Sequence, residues 1–197
     1  VSGAALDRRE VVRALLERRG DLLVVAGLGS SAWDCTAAGD HPLTFPLWGA
    51  MGSACTIGLG LALAQPRRRV LVVTGDGEML MGLGSLASIA VQRPRNLAIV
   101  VLDNERYGET GMQKTHTAHG ADLAGIALAC GFAKAEIVRS VAKVAALRAE
   151  IHRGKGPLFY QVKVGRDAVP LVLPPRDGAV LRHRFREALL GKRAAAQ

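Results

Sequence analysis

Aromatic residues are scarce in this chain: two Trp, two Tyr and four Phe among 197 residues, not interleaved with the arginine clusters. That counts against single-stranded nucleic acid as a ligand, which needs stacking platforms along a basic groove. The net charge of +9 is instead spread over positions 8–9, 18–19, 67–69 and the tail LRHRFREALLGKR. Solvated helix ends and attraction of anionic substrates account for such a distribution. Cysteine is sparse as well. Cys35, Cys55 and Cys130 are odd in number and form no C-x-x-C pair, so neither a disulfide framework nor a zinc or iron–sulfur knuckle is indicated. They read as small buried apolar residues. Long apolar runs are missing too: no stretch reaches the roughly 20 residues of a membrane span. The opening VSGAALDRREVV has acids and arginines where a signal peptide needs an apolar region. The expectation is a soluble, cytoplasmic protein of one domain over residues 1–197.

What is present is an alternation of helical and strand-like segments. DRREVVRALLERR (7–19) carries a helical apolar stripe with Asp7 as N-cap, and DLLVVA (21–26) reads as a buried strand. A glycine-rich turn, GLGSSAWD, follows. The run from 49 to 65, GAMGSACTIGLGLALAQ, reads as a buried helix ended by Pro66. RRVLVVT (68–74) and NLAIVVLD (96–103) are strands, with TGDGEML and a helix through Val91 between them. Unbroken aliphatic strands are covered on both faces. A polar loop (104–121), a helix (122–130), the strand FAKAEIV, a helix (140–152), the strand PLFYQVKV and a peripheral helix (179–190) complete the chain. Strands joined by helices imply parallel neighbours, so the expected fold class is α/β: a doubly wound, mainly parallel sheet with helices on both faces.

Ligands of such sheets bind at the carboxyl ends of the strands, which singles out the loops 27–34, 74–80 and 103–113. GLGSSA has the form of a dinucleotide fingerprint, but no strand leads to an acid about 20 residues later. Gly29, Ser30 and Ser31 then stand as receivers of phosphate oxygens, with a plain tight turn as the alternative. In the second loop Gly75 and Gly77 let the backbone approach a ligand, while Asp76, followed by Glu78, supplies a carboxylate. A carboxylate beside a phosphate is repulsive unless a cation such as Mg²⁺ lies between them. Twenty-six residues separate Gly77 from Asn104, the length of a helix and a strand. On adjacent strands, Asp76, the Asn104 amide oxygen and the Arg106 carbonyl would share one octahedral cation. Taken alone, TGDG is more often a surface turn.

The stretch GDGEMLMGLGSLASIAVQRPRNLAIVVLDN resembles the thiamine diphosphate motif, with Asp103 where many members have a first Asn. Upstream, PLWGAMGSACTIGLGLALA resembles the segment of 2-oxo acid decarboxylases and acetohydroxyacid synthases under the cofactor's aminopyrimidine ring. The likeness spans about residues 20 to 165. Within it, the DNERYGETGMQ loop is most similar to the small β subunits of sulfopyruvate and phosphonopyruvate decarboxylases.

This resemblance implies thiamine diphosphate and Mg²⁺ as cofactors. It implies that Gly49 offers its carbonyl and Met51 its N–H to the aminopyrimidine, the Met51 side chain wedging the cofactor bent. Tyr107 and Gly108 fall at the diphosphate, while Glu109, Gln113 and His116 become candidates for substrate contact or proton transfer. A small anionic 2-oxo acid is the implied substrate. The glutamate that activates the aminopyrimidine belongs to a separate pyrimidine-binding domain, so an α subunit carrying it is the expected partner. A carboligase subunit and a non-catalytic assembly subunit are the alternatives.

Overall fold

The computed structural model describes residues 5–196; residues 1–4 and 197, the ends of the expected domain, lie outside it. The aliphatic runs form a six-stranded sheet in the order β2-β1-β3-β4-β8-β7, every pair parallel. Its strands are β1 (Leu23–Ala26), β2 (Thr44–Pro46), β3 (Val70–Gly75), β4 (Leu97–Asp103), β7 (Lys134–Val138) and β8 (Leu158–Lys163). A two-stranded hairpin, β5 (Arg106–Tyr107) and β6 (Gln113–Lys114), stands apart. All seven residues of β4 are buried, because the strand has a hydrophobic layer on each side. Alternation splits its side chains: Ala98, Val100 and Leu102 face one core, and Leu97, Ile99 and Val101 the other. Each aliphatic side chain so buried contributes about 1.5–3 kcal/mol.

The first core is covered by α1 (Arg8–Leu16), α2 (Ser30–Ala37) and α7 (Val141–Arg153). The second is covered by α3 (Ala54–Ala64), α5 (Ser85–Gln92) and α6 (Leu123–Cys130). From β1 the chain passes outward to β2, then returns across β1 to β3 and continues the other way through β4. The strand order therefore reverses between β1 and β3. A crevice opens above the carboxyl ends of two such strands, since their following connections diverge to opposite faces.

Several boundaries differ from the sequence expectation. GLGSSAWD is not merely a turn, because Ser30 begins α2. The segment after Thr74 is not an open loop: Asp76 opens a short helix, α4 (Asp76–Met81), separate from α5. At this break Gly82 lies so close to Gly52 that a Cβ on Gly82 would stand 2.0 Å from the Gly52 carbonyl oxygen. The predicted 49–65 helix starts only at Ala54, and residues 48–53 form the turn that meets Gly82. Nor is α8 (Gly178–Leu190) merely peripheral. It buries Leu181 and Phe185, the latter edge-on to Phe45 with ring centroids 5.5 Å apart, and Arg184 pairs with Asp40.

Among the described residues, no helix is long and apolar enough to cross a membrane. The three cysteines are free, Cys35 and Cys55 fully enclosed and Cys130 half-buried. Burial pushes the Cys35 and Cys55 thiols up to about 12, so neither supplies thiolate at neutral pH. Iodoacetamide applied to the native protein at pH 7.5 is therefore expected to label Cys130 alone. Mass spectrometry of the digest checks this, and labelling of Cys35 before unfolding would contradict the packing.

Candidate active site at the carboxyl edge of the sheet

The crevice at the strand reversal is a cavity of about 490 Å³. Its floor is Leu28 and Ser30 after β1 and the run from Gly75 to Glu78 after β3; its wall is Asn104, Arg106 and the hairpin residues to Met112. Met51 stands at its rim. The β3–β4 register sets Gly75 opposite Leu102, so Asp76 and Asp103 follow side by side and Asn104 comes next. The long spacing in the sequence thus closes through one strand pair.

Asp76 is 2% exposed. Its Oδ2 accepts a hydrogen bond from Thr115 Oγ1 at 2.6 Å and lies 3.2 Å from Thr117 Oγ1. Burial raises its pKa from an ordinary 3.8 to about 6; the threonine hydrogen bonds oppose that rise and the Asp103 carboxylate adds to it. Asp103, 1% exposed, is held differently. Its Oδ2 receives Gln161 Nε2 at 2.5 Å and the Lys163 ammonium at 2.7 Å, and its Oδ1 receives Thr117 Oγ1 at 2.8 Å. One of two adjacent buried carboxylates therefore has a cation. The other, Asp76, has none among the described residues.

Asn104 Oδ1 accepts the Arg106 backbone N–H at 2.9 Å, which fixes the turn and leaves a second lone pair on that oxygen. No cluster of three His, Cys, Asp or Glu side chains that could hold a metal occurs among the described residues. A cation beside Asp76 must take most of its oxygens from a ligand and water, as Mg²⁺ does. The lining also carries four carboxylates (Asp76, Glu78, Glu109, Asp167) against three guanidinium groups (Arg8, Arg106, Arg166). A diphosphate is repelled by that balance unless a divalent cation accompanies it. The helix dipole of α2, with Ser30 at its first turn, favours an anion on the same floor. The donor set thus fits Mg²⁺ and a diphosphate together.

Of the remaining residues singled out from the sequence, Glu78, Arg106, Tyr107, Gly108 and Glu109 line this cavity. Gly75 has open space where a Cβ would point, whereas a Cβ on Gly77 would lie 2.7 Å from the Tyr107 ring, so Gly77 admits that ring. Gly29 is buried and packs against Glu109, whose carboxylate would lie 2.4 Å from a Cβ there. Five candidates, Gly29 among them, do not line the cavity. Ser31 is buried at 1% exposure with its hydroxyl unpartnered, because α2 turns it into the first face rather than the crevice. Gly49 is exposed on the turn before Met51. Gln113 and His116 are exposed on the hairpin side, Gln113 being engaged with Thr110 through its own loop.

Glu78 is a structural pivot more than an open ligand. Only 4% exposed, it accepts from Thr74 Oγ1 at 2.7 Å, and Gly27 is tight against it. The N–H groups of Leu28, Gly52 and Ala54 are turned to its carboxylate and oppose the upward pKa shift that burial imposes. Glu78 Oε1 has no hydrogen-bond partner among the described residues. Glu78 therefore holds the Met51 turn against the ends of β1 and β3.

Sequence reading missed the far wall. Residues 165–177 have no regular structure and cross the cavity as a strap, contributing Arg166, Asp167, Val169 and Leu171. Arg166 donates to the Asn104 carbonyl at 3.2 Å and pairs with Glu105; Arg9 donates to the Pro170 carbonyl at 2.8 Å and also contacts the buried Asp34. At the far end Trp48 Nε1 donates to the Pro175 carbonyl at 2.7 Å, under the Arg176 guanidinium. Trp48→Phe removes that hydrogen bond and little else. One such bond is worth about 1 kcal/mol, so cleavage within 165–177 by a limiting protease is expected to quicken roughly fivefold with the fold intact. An unchanged rate would show that the indole does not anchor the strap.

The site defines a class: a parallel α/β domain whose strand reversal fits a cation-linked diphosphate. The family described as thiamine pyrophosphate enzyme, C-terminal TPP-binding domain, matches residues 29–162, and the chain belongs to it. Sulfopyruvate decarboxylase subunit beta of Methanothermobacter thermautotrophicus is 39% identical over 169 residues, which cover 85% of this chain and 88% of that one. Phosphonopyruvate decarboxylase of Streptomyces viridochromogenes is 45% identical over 120 residues, 61% of this chain but only 30% of that longer protein. Benzoylformate decarboxylase of Polynucleobacter necessarius superposes with a TM-score of 0.67 at 20% identity, over 84% of this chain and 34% of that one, a likeness of fold. The strap and α8 lie beyond the residues that the family model matches.

Proposed function

We propose that this chain is the diphosphate-holding subunit of a thiamine diphosphate- and Mg²⁺-dependent decarboxylase acting on a small anionic 2-oxo acid of the sulfopyruvate or phosphonopyruvate kind. The observation that carries the reading is Asp76: a buried carboxylate without a counter-charge among the described residues, beside Asn104, at the strand reversal. Asp76, Asn104 and the Arg106 carbonyl hold the metal, while Ser30 and Gly75 admit the diphosphate. When bound, the cofactor supplies the electron sink for loss of carbon dioxide. The chain's own residues bind and orient. Met51 positions the reactive ring, Glu109 stands at the substrate side of the hairpin, and Arg106 adds positive potential for an anionic substrate. The glutamate that activates the aminopyrimidine comes from a pyrimidine-domain partner, in the cytoplasm.

Reconstitution tests this. The purified chain with Mg²⁺ and thiamine diphosphate is expected to release almost no carbon dioxide from sulfopyruvate or phosphonopyruvate. Adding the pyrimidine-domain partner restores turnover, and substituting that partner's glutamate removes it again. Full turnover by the chain alone would defeat the split-site reading.

A further inference from the structure

Thr115 and Thr117 come from a segment whose other side chains face outward: Gln113, Lys114 and His116 are exposed, while the two threonines are 0% and 5% exposed. Their hydroxyls lie 2.9 Å apart and stand between the two buried carboxylates. Each hydroxyl has one hydrogen to give. The shortest contacts assign them: Thr115 donates to Asp76 Oδ2 at 2.6 Å and Thr117 to Asp103 Oδ1 at 2.8 Å. Asp103 is in turn immobilised by Gln161 and Lys163, both on β8, the strand paired with β4. Lys163 also reaches Glu105 at 3.0 Å, so the residues on either side of Asn104 are held by one ammonium group. Asp76 Oδ1 receives no side-chain hydrogen bond from the described residues.

We propose that Thr115 and Thr117 are positioning residues for the metal. Two residues apart on one segment, they tie Asp76 and the rigid Asp103–Lys163 pair to the same stretch of backbone, Thr115 by donating to Asp76 Oδ2 and Thr117 by donating to Asp103 Oδ1, so that Oδ2 is occupied by the protein and Oδ1 is presented to the cation. The inference rests on the cofactor reading above and adds two residues to it. A carboxylate free to rotate loses entropy on binding the metal, whereas one already held in place does not. Partners one step removed from a metal typically change its affinity 10- to 100-fold when lost. Thr117 also separates two like charges, which keeps Asp76 available without drawing Lys163 away from Asp103.

The test is calorimetric titration of the full chain with Mg²⁺ at saturating thiamine diphosphate, beside thermal melting without either. Thr115→Val and Thr117→Val keep the shape and remove the hydroxyl; Thr115→Ser and Thr117→Ser keep the hydroxyl. Expected are Mg²⁺ dissociation constants raised about 10- to 100-fold in the valine variants and within about threefold of the parent in the serine variants. Thr117→Ala gives a hydroxyl-free variant with looser packing should valine prevent folding. Folded valine or alanine variants that bind Mg²⁺ like the parent would overturn the proposal. So would serine variants as weak as valine ones, which would indicate packing alone. A parent chain with no Mg²⁺-dependent binding of the cofactor would overturn the reading beneath it, a result distinct from both.

Discussion

Asp76→Asn is expected to reduce Mg²⁺-dependent binding of thiamine diphosphate by more than the ~100-fold upper range for residues one step from a metal. The same substitution is expected to stabilise the cofactor-free protein. Both effects follow from the environment of one carboxylate, 2% exposed and hydrogen-bonded by Thr115 but lacking a cation of its own among the described residues. An uncompensated buried charge destabilises the fold that contains it, and the neutral amide removes the charge. The sign with pH follows from the upward shift from 3.8 to about 6. Because the folded pKa is raised, the penalty is absent below about pH 4, grows as pH rises, and is complete above about pH 6. Its size is of order 2–3 kcal/mol. At pH 7.5 the cofactor-free variant is expected to melt several degrees above the parent, a gap that closes near pH 4. Melting curves across that range, paired with calorimetry, check both halves. Tight Mg²⁺-dependent binding by Asp76→Asn would remove Asp76 from the metal site.

Gly82→Ala is expected to act on turnover from outside the cavity. The added methyl would stand 2.0 Å from the Gly52 carbonyl oxygen, a backbone atom that cannot move aside without carrying Met51 with it. A displacement of about 1 Å at an orienting residue costs about 100-fold in rate. Asp76 and Asn104 are anchored elsewhere, through the threonines and β8, so the metal requirement is expected to change little. The reconstituted enzyme should therefore lose about two orders of magnitude in kcat, with a near-normal half-saturating Mg²⁺ concentration. Met51→Ala should follow the same pattern. Equal losses in metal affinity and rate would show that the Met51 turn and the metal site are one mechanical unit.

The long-range form of the site was readable in one dimension because its spacing is local to one crossover. Asp76 and Asn104 end consecutive strands, so any parallel pairing of those strands brings them together. The β3–β4 register does so. The same reasoning failed at GLGSSAWD, where the second serine was expected to face the ligand. Once Ser30 starts a helix, its neighbour is rotated about 100° away and is buried on the other side. Glu78 lines the cavity, but as part of α4 its carboxylate is directed against Gly27 and Thr74 rather than standing in an open loop.

By itself, the sequence determined the doubly wound class through its unbroken aliphatic strands. It also determined the principal metal and diphosphate candidates, whose residue types and separations lie within one strand–helix–strand unit. Tertiary structure alone decided the rest. Thr115 and Thr117 lie 39 and 41 residues from Asp76, and Gln161 lies 58 from Asp103, separations that carry no periodic signal. Gln161 meets Asp103 only because β8 inserts beside β4 ahead of β7, an order the chain does not announce. The strap is the same kind of fact. Its residues have no regular pattern, and their place over the cavity depends on Arg9, Trp48 and Arg166 reaching its backbone from three separate parts of the fold.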